Sequence, residues 1–262
     1  MERDLDGDPT DRFAALVARG GEPLDRLALA IAAHAHRDLD EDAELARIDE
    51  LAGSVPDEAA TLCAALFGPG RFEGDRSTYY DPDNSMLDRV LDRRRGIPIT
   101  LSVLAIEVGR RVGAPLVGIG MPGHFLVRER GDATAYYDPF AGGVPLDLRG
   151  CEERFAQLHP AGAFTEAMLT PVGPLQIASR MLANLSHAYL GETDVANLVW
   201  VLRLRSMLPD ATVEMRRQLA GVLASSGRFW EAAEEYDLLA QYQPDRADHH
   251  RGTADRLRAR LN

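Results

Sequence analysis

The sequence contains no lysine; all 29 of its basic residues are arginine. A lysine Schiff base or lysine general base is therefore excluded from any chemistry the chain performs. Cysteine is nearly as scarce. Cys63 and Cys151 are the only two, and they make neither a metal-binding pair nor a disulfide-stapled scaffold. No apolar run approaches the ~18 residues of a membrane span, and the acidic opening MERDLDGDPTDRF lacks the apolar stretch of a signal peptide. Positive charge is also short. With 41 acidic residues against 29 basic ones the formal net charge is -12, which repels phosphate backbones and anionic membranes. The expectation is a cytoplasmic protein without cofactor or metal that binds neither nucleic acid nor membrane.

At 262 residues the chain is long enough for one large domain or two modest ones with cores of their own. Three parts are expected: an N-terminal helical part over 1–68, a mixed core over 69–160, and a purely helical region over 174–262. Residues 1–10 are polar and expected to fray. Leu24, Leu27, Ala28 and Ile31 recur at helical spacing, as do Leu45, Ile48 and Leu51. Pro56 is placed to start a further helix, with Leu62, Cys63, Leu66 and Phe67 as its inner stripe. The stretch GPGRFEGDRSTYYDPDN, 68–84, reads as an ordered surface loop.

Chemistry concentrates in 94–140. Asn84 or Ser85 is expected to cap a helix that ends in Arg93, Arg94 and Arg95 and is stopped by Gly96. The next helix opens on Pro98, where the missing amide donor costs nothing, and Leu101, Leu104, Ala105, Val108 and Val112 give it a continuous apolar face. Two antiparallel strands follow, 124–130 and 134–138, joined at Gly131-Asp132. A turn centred there sets His124 directly opposite Asp138, on one face of the ladder.

A histidine beside a carboxylate suits general-base work, because the carboxylate fixes the tautomer. The hydroxyls that a base might activate are Thr100 and Ser102, although either side chain can equally bond to its own backbone. A structural hydrogen-bonded pair that holds the hairpin is the plain alternative for His124 and Asp138. A metal would need a third ligand such as Asp81 or Asp83, whose spacing guarantees nothing. Cys63 reads as core. Cys151 opens a short helix, 151–159, without an adjacent histidine. Tyr79-Tyr80 and Tyr136-Tyr137 either line a groove or pack the loop on the sheet.

Beyond 173 a weak repeat emerges. The Pro209-Asp210 and Pro244-Asp245 ends are 35 residues apart, near the period of a helical-hairpin solenoid. Gly191 and Gly227 separate the helices of each unit, and Ala196 and Ala232 follow them. Phe229, Trp230 and Trp200 are expected to pack between these helices.

NSMLDRVLDRRRGIPITLSVLAIEVGRRVGAPLVGIGMPGHFLVR, followed by YYDPF, resembles the bacterial SirB family, a transglutaminase-like domain followed by tetratricopeptide-type repeats. The resemblance implies an α+β fold: a transglutaminase-like (papain-like) domain with N-terminal helices, then an all-helical tetratricopeptide-like region. It assigns the superfamily's His to His124 and its Asp to Asp138. In thiol-active relatives a Gly-x-Cys opens the helix; aligned through Gly113-Ala114-Pro115, that Cys falls on Pro98, preceded by Gly96. Proline has neither thiol nor amide donor. The implied function is an unconventional transglutaminase-like protein that lacks thiol catalysis and acts as a peptide- or protein-binding adaptor. The alternative is a hydrolase or acyl-transfer enzyme using His124 and Asp138 with a hydroxyl or an activated water.

Overall fold

The computed structural model describes residues 8–261 and divides the chain into two compact units, one reaching Met181 and one starting at Leu182. Part of the frayed segment expected over 1–10 lies outside the described residues. Within them, Asp8 already caps a helix by accepting the Thr10 N–H at 2.8 Å.

In the first unit the helices α1 (Pro9–Ala18), α2 (Leu24–Ala32), α3 (Glu41–Ala52) and α4 (Ala59–Leu66) come first. α4 starts three residues after the Pro56 expected to open it, with Cys63 fully buried on its inner face. β1 (Glu73–Gly74), α5 (Leu87–Arg93) and β2 (Arg95–Gly96) lead to α6 (Pro98–Val112). Two readings of this stretch need correction. Asn84 and Ser85 form a 3-10 turn, Pro82–Ser85, and the residue that precedes α5 is Met86, without a side-chain cap. The residue that stops α5 is Arg94, in the left-handed region at φ 52°. Gly96 serves a different purpose: a Cβ there would lie 2.9 Å from Thr100 Oγ1 and 3.0 Å from Val90 Cγ2, so it is a space requirement.

α6 ends at Gly113 in the left-handed conformation that glycine adopts without strain. β3 (Leu116–Ile119), β4 (Leu126–Glu129), β5 (Tyr136–Asp138), β6 (Val144–Leu146), α7 (Leu148–Leu158) and β7 (Pro171–Val172) follow. The strands form one antiparallel sheet in the order β6-β5-β4-β3-β7. Alternation sorts its two faces. Ile119, Leu126 and Tyr136 point to one side, where they bury Cys151 and Phe155 of α7. Leu116 points to the other, against Gly109 of α6. Cys151 is thus a core residue three positions inside α7, and not the opening of a helix.

The second unit contains the end of α8 (Pro174–Gly191), then α9 (Val195–Met207), α10 (Val213–Ser225), α11 (Phe229–Tyr242) and α12 (Ala247–Arg258). Neighbouring helices pack in sequence, α9 on α10, α10 on α11 and α11 on α12. In the first turn Thr193, at φ 57°, holds the left-handed position that Gly227, at φ 78°, holds in the other. Thr193 and Gly227 are 34 residues apart, so Gly191 is not the counterpart of Gly227. The paired alanines also differ, since Ala232 is fully buried and Ala196 is exposed. Trp200 packs edge-on to Tyr189, centroids 6.0 Å apart, whereas Trp230 is 56% exposed under the Arg258 guanidinium.

Candidate functional site

His124 Nε2 lies 2.9 Å from Asp138 Oδ2, and both side chains are buried. They meet although the hairpin is not in the register expected for it. Val127 pairs with Tyr137, so Asp138 stands opposite Leu126, and His124 lies two residues before β4 begins. A shift of two keeps side chains on the same face, and the pair closes as a diagonal instead of a directly opposed one. A shift of one would have separated them.

Asp138 is completely buried and fully engaged. Its Oδ1 accepts the Ala141 N–H at 3.1 Å, which starts the 3-10 turn Pro139–Ala141, and its Oδ2 is also 3.3 Å from Nη2 of Arg154 on α7. Sequence reasoning missed Arg154. Because an ionised carboxylate only accepts, the bond assigns the imidazole N–H to Nε2. Arg154 and the imidazole share one oxygen, so the carboxylate's charge is already partly answered without the histidine.

Around this pair runs a chain of rings. His124 and Phe140 meet edge-on with centroids 6.1 Å apart, and Phe140 meets Tyr79 in the same way at 5.9 Å. Arg76 lays its guanidinium over the Phe140 ring, 4.9 Å from the centroid. Phe140 also presses on Gly74, where a Cβ would lie 2.5 Å from its ring. Gly74 pairs with Gly96 on the β1–β2 ladder, just ahead of α6. Phe140 thereby links the start of the helix to the His124 ring. Tyr79 and Tyr80 are 37% and 67% exposed, while Tyr136 and Tyr137 are buried in the sheet.

The start of α6 carries no available nucleophile. Thr100 is fully buried; its hydroxyl donates to the Asn84 carbonyl at 2.6 Å and accepts the Ile97 N–H at 3.2 Å. It ties the first turn of α6 to the Pro82–Ser85 turn. Ser102 is fully buried too, and its Oγ has no hydrogen-bond partner. Neither hydroxyl is bonded to His124. Burial pushes the thiols of Cys63 and Cys151 up to about 12, so neither is a thiolate near neutral pH. Asp81 and Asp83 are held by Arg93 Nη1 at 3.0 and 3.3 Å. Among the described residues no three His, Cys, Asp or Glu side chains gather as metal ligands would.

Asp75 orders the loop that presents Tyr79. It is buried and accepts from Ser77 N, Ser77 Oγ, Thr78 N and Thr78 Oγ1, all at 2.8 to 3.0 Å. Burial alone would raise its pKa, but these bonds from Thr78 and Ser77 hold it well below the usual carboxylate range. A cavity of about 780 Å³ lies elsewhere in this unit, between α6 and the β3–β7 edge, and includes neither His124 nor Asp138 in its lining.

A helix packed on one face of an antiparallel sheet whose neighbouring segments join a buried histidine to a carboxylate defines the class. The chain belongs to the transglutaminase-like superfamily, whose family model matches residues 22–183. It is 41% identical over 145 residues to a UPF0162 protein of Xylella fastidiosa, an alignment covering 53% of this chain and 51% of that one. A UPF0162 protein of Vibrio cholerae is 38% identical over 192 residues, 67% of this chain and 65% of the relative. F-box only protein 21 of Mus musculus is 34% identical over 129 residues, 46% of this chain and 20% of the relative. The chain thus spans about half the length of the Xylella relatives it matches and a fifth of the F-box protein. No solved structure matches it.

Proposed function

We propose that this is a SirB-type transglutaminase-like protein without thiol catalysis, whose His124 region binds a peptide or protein segment. The observation that carries the reading is the commitment of the α6 start to structure. Pro98, which this reading aligns with the superfamily's thiol, is buried, and the Thr100 hydroxyl is spent on Asn84 and Ile97. Binding is supported by exposed Tyr79 and Tyr80 beside Phe140 and Arg76, since aromatic rings supply contact area with few rotors to freeze. A net charge of -12 argues for a peptide over a nucleic acid. A hydrolase reading gains little from α6, because Ser102 is sealed in the helix.

Two further assignments belong to the same proposal. The C-terminal helices are of tetratricopeptide type, supported by the 34-residue spacing of Thr193 and Gly227. The protein is cytoplasmic, which cell fractionation tests; no described helix is long and apolar enough to cross a membrane.

The test is selection of displayed peptides against the full chain, followed by titration of the winners into wild type, Tyr79→Ala and His124→Gln. Binding weakened by about tenfold in Tyr79→Ala, with no peptide consumed, is the expected result for a buried-aromatic contact. Turnover of any peptide or ester that His124→Gln abolishes would overturn the proposal. Alkylation gives an independent check. Both thiols should resist iodoacetamide at pH 8 until the chain is unfolded, since at that pH a thiol pushed up to about 12 is almost wholly protonated.

A further inference from the structure

The cavity of about 780 Å³ between α6 and the β3–β7 edge is lined by Pro115, Leu116, Val117 and Gly118 in unbroken succession. Side chains along a strand point alternately to opposite faces, so a cavity that meets four consecutive residues runs along the edge of β3. Its volume falls within the range of ligand pockets.

That edge is open beside the cavity. β7 pairs with β3 at Gly118 and Ile119 and goes no further. Continuing the register would set Pro174 opposite Leu116, but Pro174 has no N–H and already opens α8, its Cβ 3.2 Å from where a Cβ of Gly21 would lie. On the other side of β3 the Arg130 N–H donates to the Pro115 carbonyl at 2.8 Å. Successive residues of an antiparallel ladder turn their N–H and C=O to opposite neighbours. Pro115 and Val117 therefore face β4, and Leu116 turns both of its backbone groups toward the cavity. No hydrogen bond joins these two groups to another described residue.

The walls on the two faces differ. On the α6 side Arg110 Nε donates to Glu107 Oε2 at 2.8 Å, so these charges close on each other, and Pro23, Ile106 and Val172 supply an apolar wall with exposed Glu22 next to Pro23. On the other side Arg128 and Arg130 line the cavity next to Val117. Neither forms an ion pair with a described carboxylate. Arg128 gives Nη1 to the Asp132 carbonyl, whereas the exposed Arg130 side chain has no bond to a described residue. Two acids act in the same neighbourhood, Glu166 and Asp132, and Asp132 is turned to Thr134, whose N–H and hydroxyl it accepts at 2.7 Å.

We propose that this edge receives a short extended peptide as an added strand, its backbone paired with Leu116. The peptide residue opposite Leu116 shares its face and is apolar, packing toward Ile106 and Val172. The residues on either side of it turn to the Arg128 and Arg130 wall and are acidic. An extended backbone supplies the acceptor and donor that Leu116 matches, and its alternating side chains match the two unlike walls. The site is separate from the His124 region and does not depend on the reading of that region.

The experiment is an NMR titration of the full chain with N-acetyl-Ala-Glu-Val-Glu-Ala amide. The Leu116 amide should shift and exchange with solvent more slowly in the bound state, as an amide does on entering a ladder. The same peptide with N-methylvaline cannot donate to the Leu116 carbonyl and should bind about tenfold more weakly. Replacing both glutamates by glutamine should weaken binding about threefold, as for exposed charge pairs. In Arg130→Ala, whose exposed side chain can be removed without disturbing the core, that difference should shrink, while Tyr79→Ala should bind as wild type. An N-methyl group without effect, or a Leu116 amide that neither shifts nor slows on saturation, rejects strand addition. A glutamate preference that survives Arg130→Ala overturns the acidic assignment. Binding weakened by Tyr79→Ala but not by Arg130→Ala places the peptide at His124 and overturns this site. No binding at about 1 mM peptide overturns it as well, and leaves the His124 reading to its own test.

Discussion

His124 and Asp138 on one side, and the opening turn of α6 on the other, are both buried, yet their polar atoms have different purposes. The first region gathers charge: a carboxylate with no solvent exposure accepts from an imidazole and a backbone amide and is ion-paired with a guanidinium. The second gathers neutral groups that satisfy each other, the Thr100 hydroxyl bridging the Asn84 carbonyl and the Ile97 N–H beside buried Pro98. The first holds an imidazole in one orientation, and the second joins a helix to a turn. If the proposed reading is right, the two regions are separable, and individual substitutions should separate them.

The largest effect is expected at Asp138. Asp138→Ala removes the acceptor of two hydrogen bonds and the ion-pair partner of Arg154, leaving the imidazole and the guanidinium unpaired, at a cost of about 3 to 5 kcal/mol as for one partner of a buried ion pair. Asp138→Asn keeps the shape and one acceptor and should cost less. Urea denaturation of both variants checks this order; equal stability would mean that the charge at Asp138 does not matter. At the opposite region, Thr100→Val keeps the volume and loses both bonds, so about 2 kcal/mol is expected from the buried carbonyl and amide left behind. Peptide binding at His124 should then be unchanged. Loss of binding without loss of stability would return Thr100 to the working part of the site.

A smaller effect is expected at Gly96. The added methyl of Gly96→Ala meets Thr100 Oγ1 and Val90 Cγ2 at 2.9 and 3.0 Å, and overpacking of this kind costs about 1 to 2 kcal/mol. Combining it with Thr100→Val should cost less than the two separately, since the double variant has already lost the hydroxyl bonds that the methyl disturbs. Strict additivity, measured in the same denaturation series, would place the Gly96 strain elsewhere.

How much of this could be read from the chain alone follows the range of each interaction. Gly113 and the apolar stripe of α6 are local, and the helix runs where its pattern puts it. The meeting of His124 and Asp138 was legible because a hairpin brings its ends together over 14 residues, and an error of two in the register leaves both on one face. Arg154 and Arg180 were not legible. They reach the pair from α7 and α8, and no periodicity of the hairpin points to them. Gly96 misled because a glycine after a helix resembles a stop signal, whereas Arg94 adopts the left-handed conformation and Gly96 gives room to Thr100. In the second unit Gly191 misled in the same way, since Thr193 takes the strained position.

The smallest effect, and the one whose sign is informative, belongs to Ser102. Its Oγ is buried without a partner, so the native state carries the cost of a dehydrated hydroxyl and gains no bond from it. Ser102→Ala removes that cost and leaves a gap smaller than a water molecule, so stability should stay level or rise by up to about 1 kcal/mol. The gain should persist whether or not a peptide occupies the His124 region. A hydroxyl retained for catalysis predicts the reverse pattern, stability unchanged and function lost. Parallel denaturation and peptide titration of Ser102→Ala therefore discriminate where neither does alone: a stabilised variant that binds as wild type assigns Ser102 to packing, and a variant that loses ligand turnover makes α6 the working half of the site.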